Sequence, residues 1–319
     1  MDTSSIRRVV VIGTGLMGPG IAQSFAAAGR EVALVGRSPE SVARGLASVR
    51  SNLKAMEAEG LITAREANRT LARIEGTTDL EGKAAGADLV TESIVEDLPT
   101  KRELFARLDR VCAPHTLLTT NTSGLPITQI SAGMDHPGRA ATTHYWNPPH
   151  LMPLVEIVQG DRTSQETVET LRSLLAEIGK RPVVVRKDVP GQLGNRILHA
   201  MKREAMYIVQ EGIATAEEVD TAIKMGLGLR LPVYGPLEHS DLNGLEMSLA
   251  IESYLFQSLC NSTEPLPILK DKVEKGESGF KAGQGFYDWS QRDAAQVRRI
   301  RDEFLMARVK ELYPPHKPD

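Results

Sequence analysis

RVVVIGTGLMG, residues 8–18, decides how the first half of this chain is read. Arg8–Ile12 is a short β-branched run of the kind that forms a buried strand. Gly13, Gly15 and Gly18 follow at once, and Met17–Gly29 then has helical periodicity. In such a strand–turn–helix the first glycine allows the tight turn. The second lets backbone approach a pyrophosphate, and the third lets helix and strand pack closely. The helix N-terminus presents free N–H groups and the positive end of its dipole to the phosphates. A glycine fingerprint alone is a weak signal. Here it lies at the N-terminus, between a strand and a helix, and a second strand, Glu31–Val35, follows. Gly13, Gly15, Leu16, Met17 and Gly18 are therefore the expected dinucleotide-binding turn.

Working outward, Ser38-Pro39 opens a helix, with Ser as N-cap and Pro in the first turn. Helical periodicity then runs from Ser41 to Ile74 with a break at Gly60, which predicts a helical hairpin near 41–74. Strands are expected at Asp88–Ile94, Thr116–Thr120, Ala140–His144, Leu154–Val158 and Pro182–Val185. Helices are expected at Pro99–Val111 and Gln165–Ile178. Strands alternating with helices give an α/β fold, a doubly wound and mostly parallel sheet. After Asp188-Val189-Pro190 no convincing strand remains. Leu193–Gln210, Ala216–Lys224, Glu246–Leu259 and Ala294–Leu312 read as helices. The expected division is a dinucleotide-binding domain over 1–188 and an all-α domain over 189–319.

Composition narrows the class. The chain has 319 residues, 41% hydrophobic and 25% charged, as in ordinary soluble globular proteins. The net charge of −3, without a long basic block, argues against nucleic acid as the main partner. Two cysteines, Cys112 and Cys260, have no metal or redox spacing, so a reducing compartment is expected. No apolar run is as long as a membrane span and MDTSSIRR has no signal-peptide core, so the expected location is the cytoplasm.

The end of the second strand departs from the usual pattern. NAD-binding turns place Asp or Glu there for the ribose 2′-OH. This chain has Gly36-Arg37-Ser38. Gly36 removes the carboxylate that would repel a 2′-phosphate, while Arg37 and Ser38 offer a guanidinium and a hydroxyl. These three residues predict a preference for NADP(H). The alternative is that Ser38 only caps the helix and Arg37 is solvated.

HYWNPPHLMPLVEIV, residues 144–158, carries the candidate chemistry. Glu156 stands inside an apolar strand, where a carboxylate is costly unless a charge or hydrogen bond meets it. His144 is a natural partner if Asn147-Pro148-Pro149 folds the chain back, and a His–Glu pair is a general base with its orienting group. The plainer reading is an edge strand with Glu156 in water. Three further segments offer polar groups: Asn121-Thr122-Ser123 after a strand, Glu96 and Lys101 after another, and Asn195 at the start of the first all-α helix. Singly, each reads equally as a cap or turn residue. His115, His136, His150, His199, His239 and His316 have no metal-ligand spacing, and no metal site is expected. His150 is near enough to touch a substrate, or is simply a loop histidine.

Taken together these pieces resemble the 3-hydroxyacyl-CoA dehydrogenase family over nearly the whole chain. The matching segments are VVVIGTGLMGPGIAQ, TESIVEDLPTKRELFARLD, TNTSGLPIT, HYWNPPHLMPLVEIV, GQLGNRILHAMKREAMYIVQEGIA and KAGQGFYDW. The resemblance implies a Rossmann-type domain, a helical C-terminal domain and a homodimer built through the latter. It implies NAD(P)-dependent interconversion of L-3-hydroxyacyl and 3-oxo compounds, as in fatty acid metabolism. It makes His144 the general base and Glu156 its orienting partner. Ser123 and Asn195 become hydrogen-bond donors to the reacting oxygen and the histidine. Glu96 lies at the nicotinamide end, with Lys101 and Asn121 among the cofactor residues. The family's usual cofactor is NAD(H), whose Asp is replaced here by Gly36. Pro153 stands where acyl-CoA members commonly have Lys, as in the branch acting on free hydroxy acids, with gulonate and carnitine dehydrogenases and lambda-crystallin. Arg44, Arg50, Lys54, Arg65, Arg69 and Arg73 of the hairpin offer charges to a CoA phosphate, or form a solvated face. Three readings result: a hydroxyacyl-CoA dehydrogenase, a dehydrogenase of free 3-hydroxy acids, and a cofactor-binding structural protein of the crystallin kind.

Overall fold

The computed structural model describes residues 3–312; residues 1–2 and 313–319, His316 among them, lie outside the described part. An eight-stranded sheet has the order β3-β2-β1-β4-β5-β6-β7-β8. The strands are β1 (Arg8–Ile12), β2 (Glu31–Val35), β3 (Ile74–Thr77), β4 (Leu89–Glu92), β5 (Leu117–Thr120), β6 (Ala140–Tyr145), β7 (Leu154–Val158) and β8 (Arg181–Val185). The first six are parallel, in the 3-2-1-4-5-6 order of a Rossmann-type sheet. β7 runs antiparallel to β6, and β8 runs parallel to β7.

Side chains alternate across the pleat, so each apolar strand feeds two cores. Val9 and Val11 join Ile21, Phe25, Leu34 and Leu174 on one face; Val10 and Ile12 join Val35, Phe105, Leu108 and Ile127 on the other. The first core is covered by α1 (Gly18–Ala27), α2 (Pro39–Ala58), α3 (Ala64–Ala72) and α7 (Gln165–Glu177). The second is covered by α4 (Leu80–Ala85), α5 (Leu98–Val111) and α6 (Ile127–Ile130).

The expected hairpin forms as α2 and α3, but it does not extend to Ile74. α3 closes at Ala72, and Ile74 opens β3, paired with Val32 of β2. Ile74 is buried, and a Cβ on Gly76 would come within 2.4 Å of Val42, so this edge strand lies close under α2. Four residues, one of them a glycine, leave almost no strand pattern to read.

The chain divides into two compact units: residues up to Leu193 together with those from Ile300, and Gly194–Arg299. Against the expected division near 188, residues 189–193 stay with the first unit. There Gln192 Nε2 donates to Thr122 O at 2.8 Å, and Leu193 N donates to Glu156 Oε1 at 3.0 Å. The second unit holds α8 (Gly194–Gln210), α9 (Ala216–Ala222), a π-helical turn at Ile223–Leu227, α10 (Gly228–Arg230), α11 (Pro236–Asn243), α12 (Leu245–Leu255) and α13 (Pro267–Glu274). α14 (Ala294–Leu312) spans the chain division at residue 299. α11 and α13 are additional to the helices expected from periodicity. Among the described residues no helix is long and apolar enough to cross a membrane.

Candidate active site

The three glycines of the first turn differ in what their missing side chains do. Gly13 has φ 112°, and a Cβ there would stand 2.2 Å from Ser93 O. A Cβ on Gly18 would stand 1.8 Å from Gly13 O. Both are required by packing within the turn. At Gly15 a Cβ would meet nothing within 4 Å, so the space over it is open. Met17 caps α1 without any side-chain hydrogen bond, which leaves the helix N-terminus to an anion. Leu16 is 79% exposed. An uncapped helix start beneath an open backbone fits a dinucleotide pyrophosphate, which the Gly13–Gly18 turn would hold.

At the end of β2, Gly36 is buried and a Cβ on it would come within 2.5 Å of Ser41 Oγ and 2.8 Å of Val42. Packing therefore accounts for the missing carboxylate. Ser38 is occupied as the N-cap of α2, its hydroxyl accepting from Ser41 N at 3.3 Å while Ser41 Oγ accepts from Ser38 N at 3.1 Å. Arg37 is exposed and in no ion pair with a described residue.

β4 ends in a charge network that sequence reading did not anticipate. Glu92 is fully buried. Its Oε1 accepts from Lys101 Nζ at 2.6 Å and Ile94 N at 2.6 Å, and its Oε2 accepts from Thr120 Oγ1 at 2.6 Å. Lys101, 1% exposed, also lies 3.5 Å from Glu96 Oε2. Glu96 Oε1 accepts from Thr122 Oγ1, from Ser123 N at 3.1 Å and from Gly124 N at 3.3 Å. The Lys101 ammonium thus meets two carboxylates and is buried away from solvent. Asn121 uses its amide internally: Oδ1 accepts from Tyr145 N at 2.8 Å, and Nδ2 reaches Ser93 Oγ at 3.5 Å. Ser123 itself is exposed beyond the C-terminal end of β5, the end at which open α/β sheets bind ligands.

His144 and Glu156 face each other directly in the antiparallel ladder of β6 and β7. His144 Nδ1 lies 2.7 Å from Glu156 Oε2, with the carboxylate fully buried and the imidazole 9% exposed. Trp146 Nε1 donates to the same oxygen at 3.0 Å, and Leu193 N occupies Oε1. A buried carboxylate is tolerable when N–H groups surround it in this way. With Nδ1 donating to Glu156, Nε2 is the nitrogen left with a lone pair. Trp146, Leu193 and Glu92 were not singled out by sequence reading. Trp146 lay within the quoted His–Glu segment and could have been found there; the backbone donor of Leu193 leaves no sequence signal. Asn195 is the second residue of α8 and belongs to the second unit.

His150 is half-buried, and its Nδ1 is buried with no hydrogen-bond partner. Burial first, and then the charge of Lys180, push its imidazole down to about 4, so it stays neutral at physiological pH. His115 and His136 sit 3.7 Å from Asp88 and Asp109 at the surface. Among the described residues no group of three or more His, Cys, Asp or Glu side chains is arranged to hold a metal.

A Rossmann-type sheet with an open glycine turn and a His–Glu pair near the C-terminal strand ends defines a dinucleotide-dependent dehydrogenase. The family model for the 3-hydroxyacyl-CoA dehydrogenase NAD-binding domain matches residues 8–189, and that for its C-terminal domain matches residues 191–289. The chain belongs to the 3-hydroxyacyl-CoA dehydrogenase family and is an oxidoreductase with an NAD-binding domain. It is 39% identical over 288 residues to a probable 3-hydroxybutyryl-CoA dehydrogenase of Bacillus subtilis, covering 90% of this chain and 99% of that one. It is 33% identical over 308 residues to 5-formyl-3-hydroxy-2-methylpyridine 4-carboxylate 5-dehydrogenase of Mesorhizobium japonicum, covering 96% and 99%. A crystal structure of a dehydrogenase of that description, an NAD+-dependent dismutase, superposes with a TM-score of 0.89 at 32% identity, covering 98% of this chain and 100% of that one.

Proposed function

We propose that this protein interconverts an L-3-hydroxyacyl compound and its 3-oxo form, with acyl-CoA thioesters as the first substrate class. The observation that carries the reading is the 2.7 Å pairing of His144 Nδ1 with the buried Glu156 carboxylate. In the oxidative direction His144 Nε2 takes the proton of the substrate hydroxyl, and Glu156 stabilises the imidazolium that forms. In the reductive direction the same nitrogen returns the proton to the forming alkoxide. Bound nicotinamide supplies the hydride chemistry. Ser123, on the turn held by Glu96, and Asn195 are the proposed hydrogen-bond partners of the reacting oxygen and the histidine. Glu96, Lys101 and Asn121 shape the cofactor side of the site.

The hairpin supports a CoA thioester. Arg44, Arg50, Lys54, Arg65 and Arg69 are exposed, and none pairs with a carboxylate among the described residues. A second reading, a free hydroxy acid, is favoured by Pro153 and by the full-length similarity to the pyridine carboxylate dehydrogenase. Turnover of acetoacetyl-CoA against free 3-oxo acids, followed at the nicotinamide absorbance, separates them. No turnover of any thioester rejects the first reading.

NADP(H) is the proposed preferred cofactor, because Gly36 offers no carboxylate and Arg37 has no ion-pair partner among the described residues. Arg37→Ala should then raise KM for NADPH by about tenfold, the scale of one lost charge-assisted hydrogen bond, and leave that for NADH nearly unchanged. Native enzyme with a clear preference for NADH rejects it.

The second unit supports a homodimer. α8, α11, α12 and α13 contain no buried residue, and Leu237, Leu249 and Phe256 are 81%, 70% and 61% exposed. Apolar helix faces of this extent need a covering partner. A second copy of the chain is the proposed partner, and a monomeric mass by light scattering at micromolar concentration rejects it.

A further inference from the structure

The connection from Trp146 to Pro153 joins the strand carrying His144 to the strand carrying Glu156. Its carbonyls turn inward onto Lys180, which follows Gly179 (φ 81°) and precedes β8. Lys180 is 6% exposed. Its Nζ donates to Pro149 O at 2.5 Å and to Met152 O at 3.2 Å. Among the described residues no carboxylate pairs with it. Burying an ammonium without a counter-ion disfavours its charged form, and that burial pushes its pKa down to about 8. A side chain needed only to fill this volume would be apolar.

The other side of the connection rests on α1, the helix that opens from the glycine turn. A Cβ on Gly20 would lie 2.7 Å from the Pro149 ring and 3.3 Å from His150 Nδ1. Ser24 Oγ also reaches Pro149 O, at 3.5 Å. The Pro149 carbonyl therefore lies between the Lys180 ammonium and the helix that begins the dinucleotide site. Trp146, at the start of the connection, donates to Glu156, so a shift of the connection reaches the His144 pair.

We propose that Lys180 is a positioning residue: its ammonium holds the Pro149–Met152 connection against α1 and so fixes where His144 stands relative to the dinucleotide turn. This rests on the reading of His144 and Glu156 as the base pair of a dehydrogenase. A base displaced by about 1 Å costs on the order of 100-fold in rate, which gives such a clamp its value.

The test uses the full chain with Lys180→Met, which keeps volume and removes the donors, and Lys180→Ala with added ethylammonium. Turnover is measured alongside hydrogen exchange at 147–152, where Leu151 N and Met152 N donate to Pro148 O. The expected result for Lys180→Met is a kcat lower by about 10- to 100-fold, with KM for the cofactor changed by less than about threefold. Exchange at 147–152 should quicken while that of α2 stays as in the native protein. Ethylammonium should restore kcat to Lys180→Ala by about fivefold or more, and tetramethylammonium, which has no N–H, should not. Should Lys180→Met not accumulate folded, Lys180→Gln, which keeps a donor, should retain more kcat than Lys180→Ala. A folded Lys180→Met with native kcat and native exchange overturns the proposal. So does loss of kcat with quickened exchange across the whole first unit and no rescue. If the native protein turns over no substrate, the dehydrogenase reading fails, and exchange at 147–152 alone decides whether Lys180 holds the connection.

Discussion

Glu156 stands directly across the β6–β7 ladder from His144, and its carboxylate is fully buried at 2.7 Å from the imidazole Nδ1. Antiparallel register brings the two together, because directly opposed residues in such a ladder project to the same face. His144→Ala should lower kcat by about 10²- to 10⁴-fold, the usual contribution of a positioned general base. Glu156→Gln should lower kcat less, because an amide still accepts from Trp146 or Leu193 but no longer stabilises an imidazolium. Steady-state kinetics with folded variants checks both. Native kcat in His144→Ala would remove the mechanism, whichever substrate applies.

Lys101 and Glu96 should separate stability from catalysis. Lys101→Met leaves Glu92 buried without its counter-charge, which costs about 3–5 kcal/mol, and the urea midpoint should fall accordingly. Glu96→Gln, on a half-exposed carboxylate, should cost about 1 kcal/mol or less. Its effect is expected on kcat, because the Ser123 and Gly124 amides lose the charged acceptor that sets their turn. Denaturant titration and kinetics on the two variants read these effects independently.

The glycines predict opposite outcomes for one substitution. Gly20→Ala places a methyl 2.7 Å from the rigid Pro149 ring, and Gly36→Ala places one 2.5 Å from Ser41 Oγ. Overpacking of this kind costs about 1–3 kcal/mol, and both variants should melt earlier. Gly15→Ala meets no atom within 4 Å, so its melting temperature should stay near the native value. Its cofactor affinity should fall, because the methyl occupies space that the pyrophosphate needs. Thermal melts with and without cofactor distinguish the three.

Acid should destabilise the first unit through Asp109 and Asp88. Burial raises each carboxyl, but hydrogen bonds more than offset it: Arg139 and the His136 and Asp135 amides at Asp109, the Arg8 and Arg7 amides at Asp88. Both are left below the ordinary carboxylate range. A carboxyl lowered in the folded state stabilises above its unfolded pKa, and that stability is lost as pH falls through the folded value. The melting temperature should therefore hold above about pH 5 and drop below about pH 4, and Asp109→Asn should flatten part of that drop. An unchanged acid profile in Asp109→Asn would mean the carboxylate contributes nothing.

Much of the sheet was legible because each strand carries its own signal. RVVVI, EVALV and LVEIV are apolar runs with a local strand pattern, and the glycine turn is defined by spacing. The His144–Glu156 meeting was also readable, since a buried acid twelve positions on needs a nearby partner. β3 was not legible, because Ile74–Thr77 is held by Val32 and α2 rather than by any local pattern. Nor was the network around Glu92, whose partner Lys101 lies on the next helix, or the clamp at Lys180, thirty-one positions from the Pro149 carbonyl. Hydrophobic period and turn chemistry are local, so composition and order suffice to place strands and the nucleotide turn. The partners of buried charges are chosen by strand register and by long chain crossings. For this protein the parallel sheet, the glycine turn and the His144–Glu156 pairing were therefore written in the residue order, while the companions of Glu92 and Lys180, and the Trp146 and Leu193 donors at Glu156, came only with the folded chain.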